Sequence, residues 1–515
     1  SIPLGKNYAD STYSLEIRYP EFIEMNSHDI ELYNKVSGAP LPALPQITKR
    51  IVVDRKNGSM EFALTPIVER NGKKEFLVSF MIAITAKAKK SALKTRRAPS
   101  SVSTGAKASS DNGSAMAASR YAAHSKLASG RWVKIRVPSD GIYQLTDAFV
   151  RNCGFSDPSK VRIFGYGGHL ENETLNGDDL KKYDDVPEVA TCTVGGRRLF
   201  YGRGPVSWAS ATATVRTQNP YSSYGYYFLS DIDGEALTVD SATFMSDEYV
   251  HDNDYHAIHE VDDYAWYQGG RKLFENDPIE AGSSRTYTFA SPAGAKKAVA
   301  AMNVTAGTKS YFTVTINGKS GSLQSILPGQ YDRGNERSLT QNIDSVCATD
   351  SITITCSSGG PLRLDYICMT YDQPRPVPSL TTTAFATPEY VYGITNQDHH
   401  ADANADMIII IPTSQKLLAQ AQRLAAYHEQ HDSMTVRIVP ADELYNEFSS
   451  GTPDAGAYRR YLKMMYDRAT DDKELPKHLL LFGDCLWDNR MLTDDTRGLN
   501  PDDYVSLTSY THHPF

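Results

Sequence analysis

Two hydrophobic periods follow one another along the chain. Up to about Tyr371, apolar and polar residues alternate in short runs broken by Gly, Asn, Asp and Ser, the period of half-buried strands. From Met407, continuous apolar runs alternate with segments of helical period. In the first stretch, KRIVVDRKNGSMEFALTPIVERNGKKEFLVSFMIAI predicts a meander with type I′ turns at Asn57-Gly58 and Asn71-Gly72, and so a small β domain over residues 1–86. The segment after it is basic and then rich in Ser, Ala and Gly. It has no apolar face to bury, so residues 87–128 are expected to form a flexible linker. Its basic run serves either as a solvated tether or as a contact for an anionic membrane or lipopolysaccharide surface.

The string RWVKIRVPSDGIYQLT predicts a hairpin turned by Asp140-Gly141, then a short helix capped by Thr146 and ended by Gly154. VRIFGYGG is a strand running into glycines. Without a following GKS, GKT or GxGxxG and helix, these glycines do not make a phosphate cradle. Residues 129–278 therefore read as a β-rich α+β domain. Residues 279–375 carry short alternating segments with no helical period, which predicts a jelly-roll-like β-sandwich. Nothing in it groups catalytic residue types, so its role is scaffolding or docking. Residues 376–405 read as a linker.

From 406 to 515 the order changes. MIIII is a buried strand, and the segment bearing Leu417, Ala421, Leu424 and His428 is a helix packing back on it. MTVRIV, ADELYNEF, a helix begun by Thr452-Pro453-Asp454, and HLLLF follow as strand, helix, helix and strand. This is the first part of a doubly wound α/β domain, which binds ligands at the carboxyl ends of its strands. The predicted fold class is thus multidomain: β domains including a sandwich, then a partial α/β domain.

Composition narrows the function. The 515 residues suit about three or four domains. With 31 Tyr against 17 Phe, the sheets have partly wet faces. A net charge of −8 and pI near 5.9 give no basic footprint for phosphates, which excludes nucleic acid as a partner. No apolar run approaches the ~20 residues that span a bilayer. The start at Ser1, with neither Met nor an apolar signal core, is expected of a processed form or an excerpt. Six scattered cysteines lack any CxxC pair, so no zinc knuckle or disulfide framework is indicated. Cys347 and Cys356, flanking an expected hairpin in VCATDSITITC, are the pair best placed for a disulfide, with buried free thiols as the alternative.

The carboxyl-end rule directs attention to GDCLWDNR and LTDDTRGLNPDDYVS. Gly483 permits a tight exit from the last strand. Asp484, Asp488, Asp494, Asp495, Asp502 and Asp503 then bring carboxylates towards one rim. Such loops hold calcium, or they are solvated acids in Asx-turns; the spacing is not an EF-hand. Asp484, directly after a buried strand, is expected to anchor a neighbouring loop or the site. Cys485 has the position of a nucleophile but needs a base to form its thiolate, and His512 and His513 lie at the chain end. His428 and His431 lack the HExxH spacing, and His399-His400 offers a site for metal capture in a polar loop.

The ordered strings WVKIRVPSDGIYQLT, DPSKVRIFGYGG, NPYSSYGYYFLSD, WYQGG, LRLDYI, YNEFSSGTPDAGAYRRYLKMMY and HLLLFGDCLWDNR resemble the gingipain-type cysteine peptidase family, in its branch of type IX secretion sortases. The similarity runs from Ser129 to Phe515; residues 1–128 match weakly. The resemblance implies a cell-surface, outer-membrane protein of Bacteroidota that works with type IX secretion components. It would cut carboxyl-terminal sorting domains from protein cargo and attach the cargo to a lipopolysaccharide anchor. It also implies a catalytic His in a His-Gly turn and a Cys after a later strand. Neither motif occurs here, so no catalytic residue is assigned; both are expected beyond Phe515, and the 515 residues alone are expected to be inactive. By the same resemblance Asp502, Asp503 and Tyr504 border the substrate cleft beside Asp484. No cofactor is required, and calcium is the ion such a rim would take. A gingipain-like surface protease and a non-catalytic binding scaffold share the fold and stand as alternatives.

Overall fold

Strands form where alternation predicts them, but several pair with partners other than their chain neighbours. The computed structural model describes residues 2–5, 11–36, 41–54, 57–88, 120–172, 175, 177–268 and 272–506, which divide into two compact units, 1–109 and 110–515. The first unit holds two three-stranded sheets. One joins Ile2–Gly5, Asn57–Thr65 and Gln46–Asp54; the other joins Ser11–Glu24, Lys73–Ala88 and Ile67–Arg70. Asn71 and Gly72, at φ 50° and 74°, make the expected turn, where only residues tolerant of positive φ fit. Asn57 and Gly58 do not turn. They pair with Asp54 and Val53 in the ladder, and residues 55–56 lie outside the described residues. Of the expected linker, 89–119 also lies outside them. Residues 120–128 are ordered: Tyr121 and Leu127 are buried, and Ser125 caps a 3₁₀ turn at Lys126–Ala128.

In the second unit, Trp132–Val137 and Gly141–Gln144 are not a hairpin. The former pairs with Gly225–Ser230 and Glu389–Ile394, the latter with Arg197–Gly202. Asp140-Gly141 instead carries the chain from one sheet to the next. The Asp140 carboxylate fixes that corner by accepting from Gly204 N at 2.7 Å and Asn253 Nδ2 at 2.8 Å. The helix Asp147–Asn152 has its expected cap, Thr146 Oγ1 accepting from Phe149 N at 3.1 Å. The glycines after Arg162–Phe164 serve backbone packing. A Cβ on Gly168 would approach Gly225 Cα to 2.6 Å. The stretch 376–405, expected as a linker, supplies the strand Glu389–Ile394, the edge of the sheet beside Trp132–Val137.

The sandwich faces the sheet His256–Glu260, Leu362–Tyr371, Ala298–Ala306, Asn335–Ile343 with one built on Ser284–Ala290, Thr349–Ser358 and Ser310–Ile316. Alternate residues of both, among them Met302, Phe312, Ile352 and Ile367, form its dry core. Its first strand, His256–Glu260, lies upstream of the boundary expected at 279. VCATDSITITC contributes a single strand rather than a hairpin, so Cys347 and Cys356 fall near its two ends; both are free, the first exposed and the second buried.

The α/β part comprises β1 (Met407–Ile411), α1 (Leu418–His431), β2 (Val436–Pro440), α2 (Ala441–Phe448), α3 (Gly456–Arg468) and β3 (His478–Leu481). The strands are parallel in the order β2-β1-β3. Ile408 and Ile410 pack with α2 and α3 on one face, while Ile409 and Ile411 pack with Ala421 and Ala425 of α1 on the other. Each of these four fully buried isoleucines stabilises the sheet by about 1.5–3 kcal/mol. The Thr452-Pro453 start expected for α3 is displaced. The helix begins at Gly456, because the Asp454 carboxylate accepts from Gly456 N at 2.7 Å and serves as its N-terminal acceptor.

Candidate active-site rim

The carboxyl ends of the three parallel strands converge on one edge. After β3, Phe482 N still donates to Ile410 O at 2.8 Å, and Gly483 follows. A Cβ at Gly483 would lie 2.8 Å from Pro412 Cγ and 3.2 Å from Val505 Cγ2, so close approach excludes a side chain there. The segment 500–506 crosses this edge. Tyr504 bridges Asp484 in parallel fashion, with Val505 N donating to Asp484 O at 3.0 Å. Ser414 N donates to Asp502 O at 2.7 Å, and Lys416 Nζ meets Asp503 Oδ2 at 2.7 Å. Val505 is fully buried in the core that contains Tyr445 and Tyr458, and Ser506 N donates to the Tyr445 hydroxyl at 3.3 Å. The fold thus brings together Asp484, Asp502, Asp503 and Tyr504.

Cys485 shares this edge without the chemistry of a nucleophile. Burial first, and the Asp484 charge second, push its thiol above the usual range, which disfavours the thiolate. Its backbone N–H donates to Asp484 Oδ1 at 2.8 Å. Among the described residues no histidine hydrogen-bonds to its sulfur, and His512 and His513 lie outside them.

The remaining acids do not join the rim set. Asp488 is buried and organises its own loop. Its Oδ2 accepts from Leu492 N, Thr493 N, Thr493 Oγ1 and Thr496 Oγ1 at 2.8–2.9 Å. That Asx-type arrangement occupies the lone pairs a cation would need. Asp494 and Asp495 are exposed, the second accepting from Gln268 at 3.3 Å. The acidic trio of cation-binding dimensions among the described residues is elsewhere: Glu260, Asp262 and Asp365, already opposed by Arg216 and Arg490.

Two charged groups on the rim were not signalled by sequence. Lys134, from Trp132–Val137, is 4% exposed and donates to Gly451 O at 2.6 Å and Asn446 Oδ1 at 3.2 Å. Burial pulls it down to about 8 against the opposing charges of Asp442 and Asp502. Asp442, in the first turn of α2, is pushed up to about 6 by burial and by Glu443, and its Oδ1 is buried without a partner. A lysine inside an alternating strand looks solvent-facing in a sequence, and only its contacts with α2 reveal otherwise.

His399 and His400 do not capture a metal, because every ring nitrogen is committed to a carboxylate. His399 Nδ1 meets Asp402 at 2.8 Å and Nε2 meets Glu443 at 2.7 Å; His400 Nδ1 meets Glu447 at 2.6 Å and Nε2 meets Asp184 at 2.9 Å. Burial opposes their charge, yet these carboxylates outweigh it and hold His399 up to about 10 and His400 up to about 9. The clamp ties α2 to residues 184 and 398–402 of the preceding chain. His428 pairs with Asp432 at 2.7 Å, and His431 Nδ1 bonds Tyr427 O, so these two share no ligand.

Residues 400–510 match the model of peptidase family C25. The chain is similar to the crystal structure of dimeric latent PorU from Porphyromonas gingivalis, with 28% identity and a TM-score of 0.64 over 77% of this chain and 46% of that one. It therefore spans about half the length of that relative. Shorter matches are to a CBM35 from Cellvibrio japonicus Abf62, at 13% identity and TM-score 0.18 over 22% of this chain and 92% of that one, and to a family 35 carbohydrate binding module from Clostridium thermocellum, at 18% and 0.17 over 22% and 87%. Scores that low do not bear on function. No curated protein sequence matches the chain.

Proposed function

With residues 400–510 matching the model of peptidase family C25 and the architecture similar to that of PorU, we propose that the whole protein is a gingipain-type cysteine peptidase acting as a sortase of type IX secretion. It cuts carboxyl-terminal sorting domains from cargo at the cell surface and passes the cargo to a lipopolysaccharide anchor. The observation that carries this reading is the parallel-sheet edge on which Asp484, Asp502, Asp503 and Tyr504 meet, the place where α/β domains hold ligands. In the reaction a cysteine thiolate adds to the scissile carbonyl. The amine of the sorting domain leaves with a proton from the imidazolium, and the thioester is then opened by an amine of the anchor or by water. No described side chain takes the nucleophile or base role. The rim residues act by shaping and charging the cleft, and calcium, where bound, is structural. Deleting the gene and following cargo by mass spectrometry tests the reading: retained sorting domains support it, and normally matured cargo overturns it.

A second reading is favoured by one observation, Cys485, whose thiol is held above the usual range by burial and which has no histidine partner among the described residues. The 515 residues then work as a non-catalytic scaffold. Thiol-dependent cleavage of a sorting-domain substrate by the purified 515-residue protein would remove that reading.

A further inference from the structure

Away from the rim, a cleft of about 1210 Å³ opens between the sandwich and the loop that follows β3. Its lining is aromatic, and two of its rings are held in place. Trp266 donates its indole N–H to Thr305 Oγ1 at 2.9 Å, and its ring lies against Gly307 and Gly334, where an added methyl group would collide with it. Tyr264 meets the indole edge-on, with ring centres 5.3 Å apart at 90°, and the Arg363 guanidinium backs Tyr264 at 3.6 Å from its ring centre. Both rings stay half-buried and line the cleft. Tyr267, Tyr331 and Trp487 add further ring surface, and Tyr331 is 79% exposed.

The polar lining restricts what these rings hold. Acids outnumber bases along the wall, and Lys272 is already engaged by Glu336 at 2.6 Å, so the cleft does not suit an anion. Of the sheet-edge strand Asn335–Ile343, only the first two residues reach the cleft, which leaves no strand-length edge for an extended peptide. Ring faces among amides and carboxylates match a ligand with apolar ring faces and many neutral hydroxyls.

We propose that this cleft binds a neutral oligosaccharide, its sugar rings stacked on Trp266 and Tyr331 and its hydroxyls bonded to Asn335 and Asp494. The site goes beyond the peptidase reading and stands or falls independently of it. Calorimetric titration of the purified 515-residue protein with linear hexasaccharides of β-1,4-glucose, α-1,4-glucose and β-1,4-mannose tests it. At least one sugar is expected to bind saturably with a Kd of about 1 mM or tighter. Trp266→Ala should abolish binding. Tyr331→Ala, at an exposed position, should leave thermal melting unchanged and weaken binding about tenfold. The proposal is overturned if none of the sugars binds, if Tyr331→Ala and Tyr267→Ala bind as tightly as the parent, or if a basic decapeptide binds in their place.

Discussion

Arg490 and Asp262 form an ion pair at 2.8 Å with side chains only 4% and 8% exposed, and through it the loop after β3 is held to the segment that follows the first sandwich strand. The loop leaves the rim at Asp484, so the sandwich side of the second unit holds part of the rim's own chain in place.

Removing Arg490 should be costly, because Asp262 is then left buried beside Glu260 and Asp365 with Arg216 as their counter-charge. Arg490→Ala is expected to destabilise the second unit by ~3–5 kcal/mol, and Asp262→Ala by less, because Glu260 still faces Arg490. Replacing both together should cost less than the sum. Denaturant unfolding of the single and double variants checks this, and strictly additive losses would show that the pair is not coupled.

The histidine clamp predicts an alkaline limit on stability. His400 is held at about 9 and His399 at about 10, both above the ~6.5 of an unfolded histidine. Their contribution is therefore fully present below about pH 6.5 and is lost as the pH rises through 9 to 10. For His400 the shift corresponds to roughly 3 kcal/mol. Melting temperature followed from pH 6 to 10 should fall across this window in the parent, and more shallowly in His400→Gln. Equal slopes would remove the clamp from the account.

Asp442 predicts the opposite kind of change. Its folded value of about 6 lies above the unfolded carboxylate, so stability should decline as the pH rises from about 4 to 6. Asp442→Asn removes the buried charge and is expected to raise stability at pH 7 by about 3 kcal/mol, a shift that already includes the attraction to Lys134. A flattened stability profile between pH 4 and 6 in the variant is the measurement. A destabilised variant would show that the carboxylate has a partner in solution.

What the chain discloses by itself follows from the range of the forces involved. The alternation of Ser310–Ile316 and the unbroken MIIII run are local patterns, and both became the elements they predict. Pairing is not local. Trp132–Val137 and Gly141–Gln144 look like a hairpin, yet each finds a better partner far along the chain, Gly225–Ser230 and Arg197–Gly202. Glu389–Ile394 looked like linker because an edge strand needs only one neighbour. At the rim, the carboxyl-end rule pointed to the stretches that carry Asp484, Asp502 and Asp503, while Tyr504 came in only through the family resemblance. The same acidic stretch concealed that Asp488 is spent inside its own loop. Lys134 and Asp442 went unseen because their burial depends on a contact between segments some three hundred residues apart.

Gly483 gives the sharpest test of how the rim is held. Its position is set by contact, with Pro412 and Val505 occupying the space a side chain would need. The proline ring cannot rotate away, so Gly483→Ala should displace the 500–506 segment at a cost of about 1–3 kcal/mol. The bond from Val505 N to Asp484 O lies beside the clash and should open first. Hydrogen exchange at the Val505 amide is therefore expected to quicken in Gly483→Ala, while amides within the sandwich strand Thr349–Ser358 keep the parent rate. An unchanged Val505 amide would mean that the segment is held by its other contacts, Lys416–Asp503, Ser414–Asp502 and Ser506–Tyr445, and that the Asp484–Tyr504 bridge does not secure the rim.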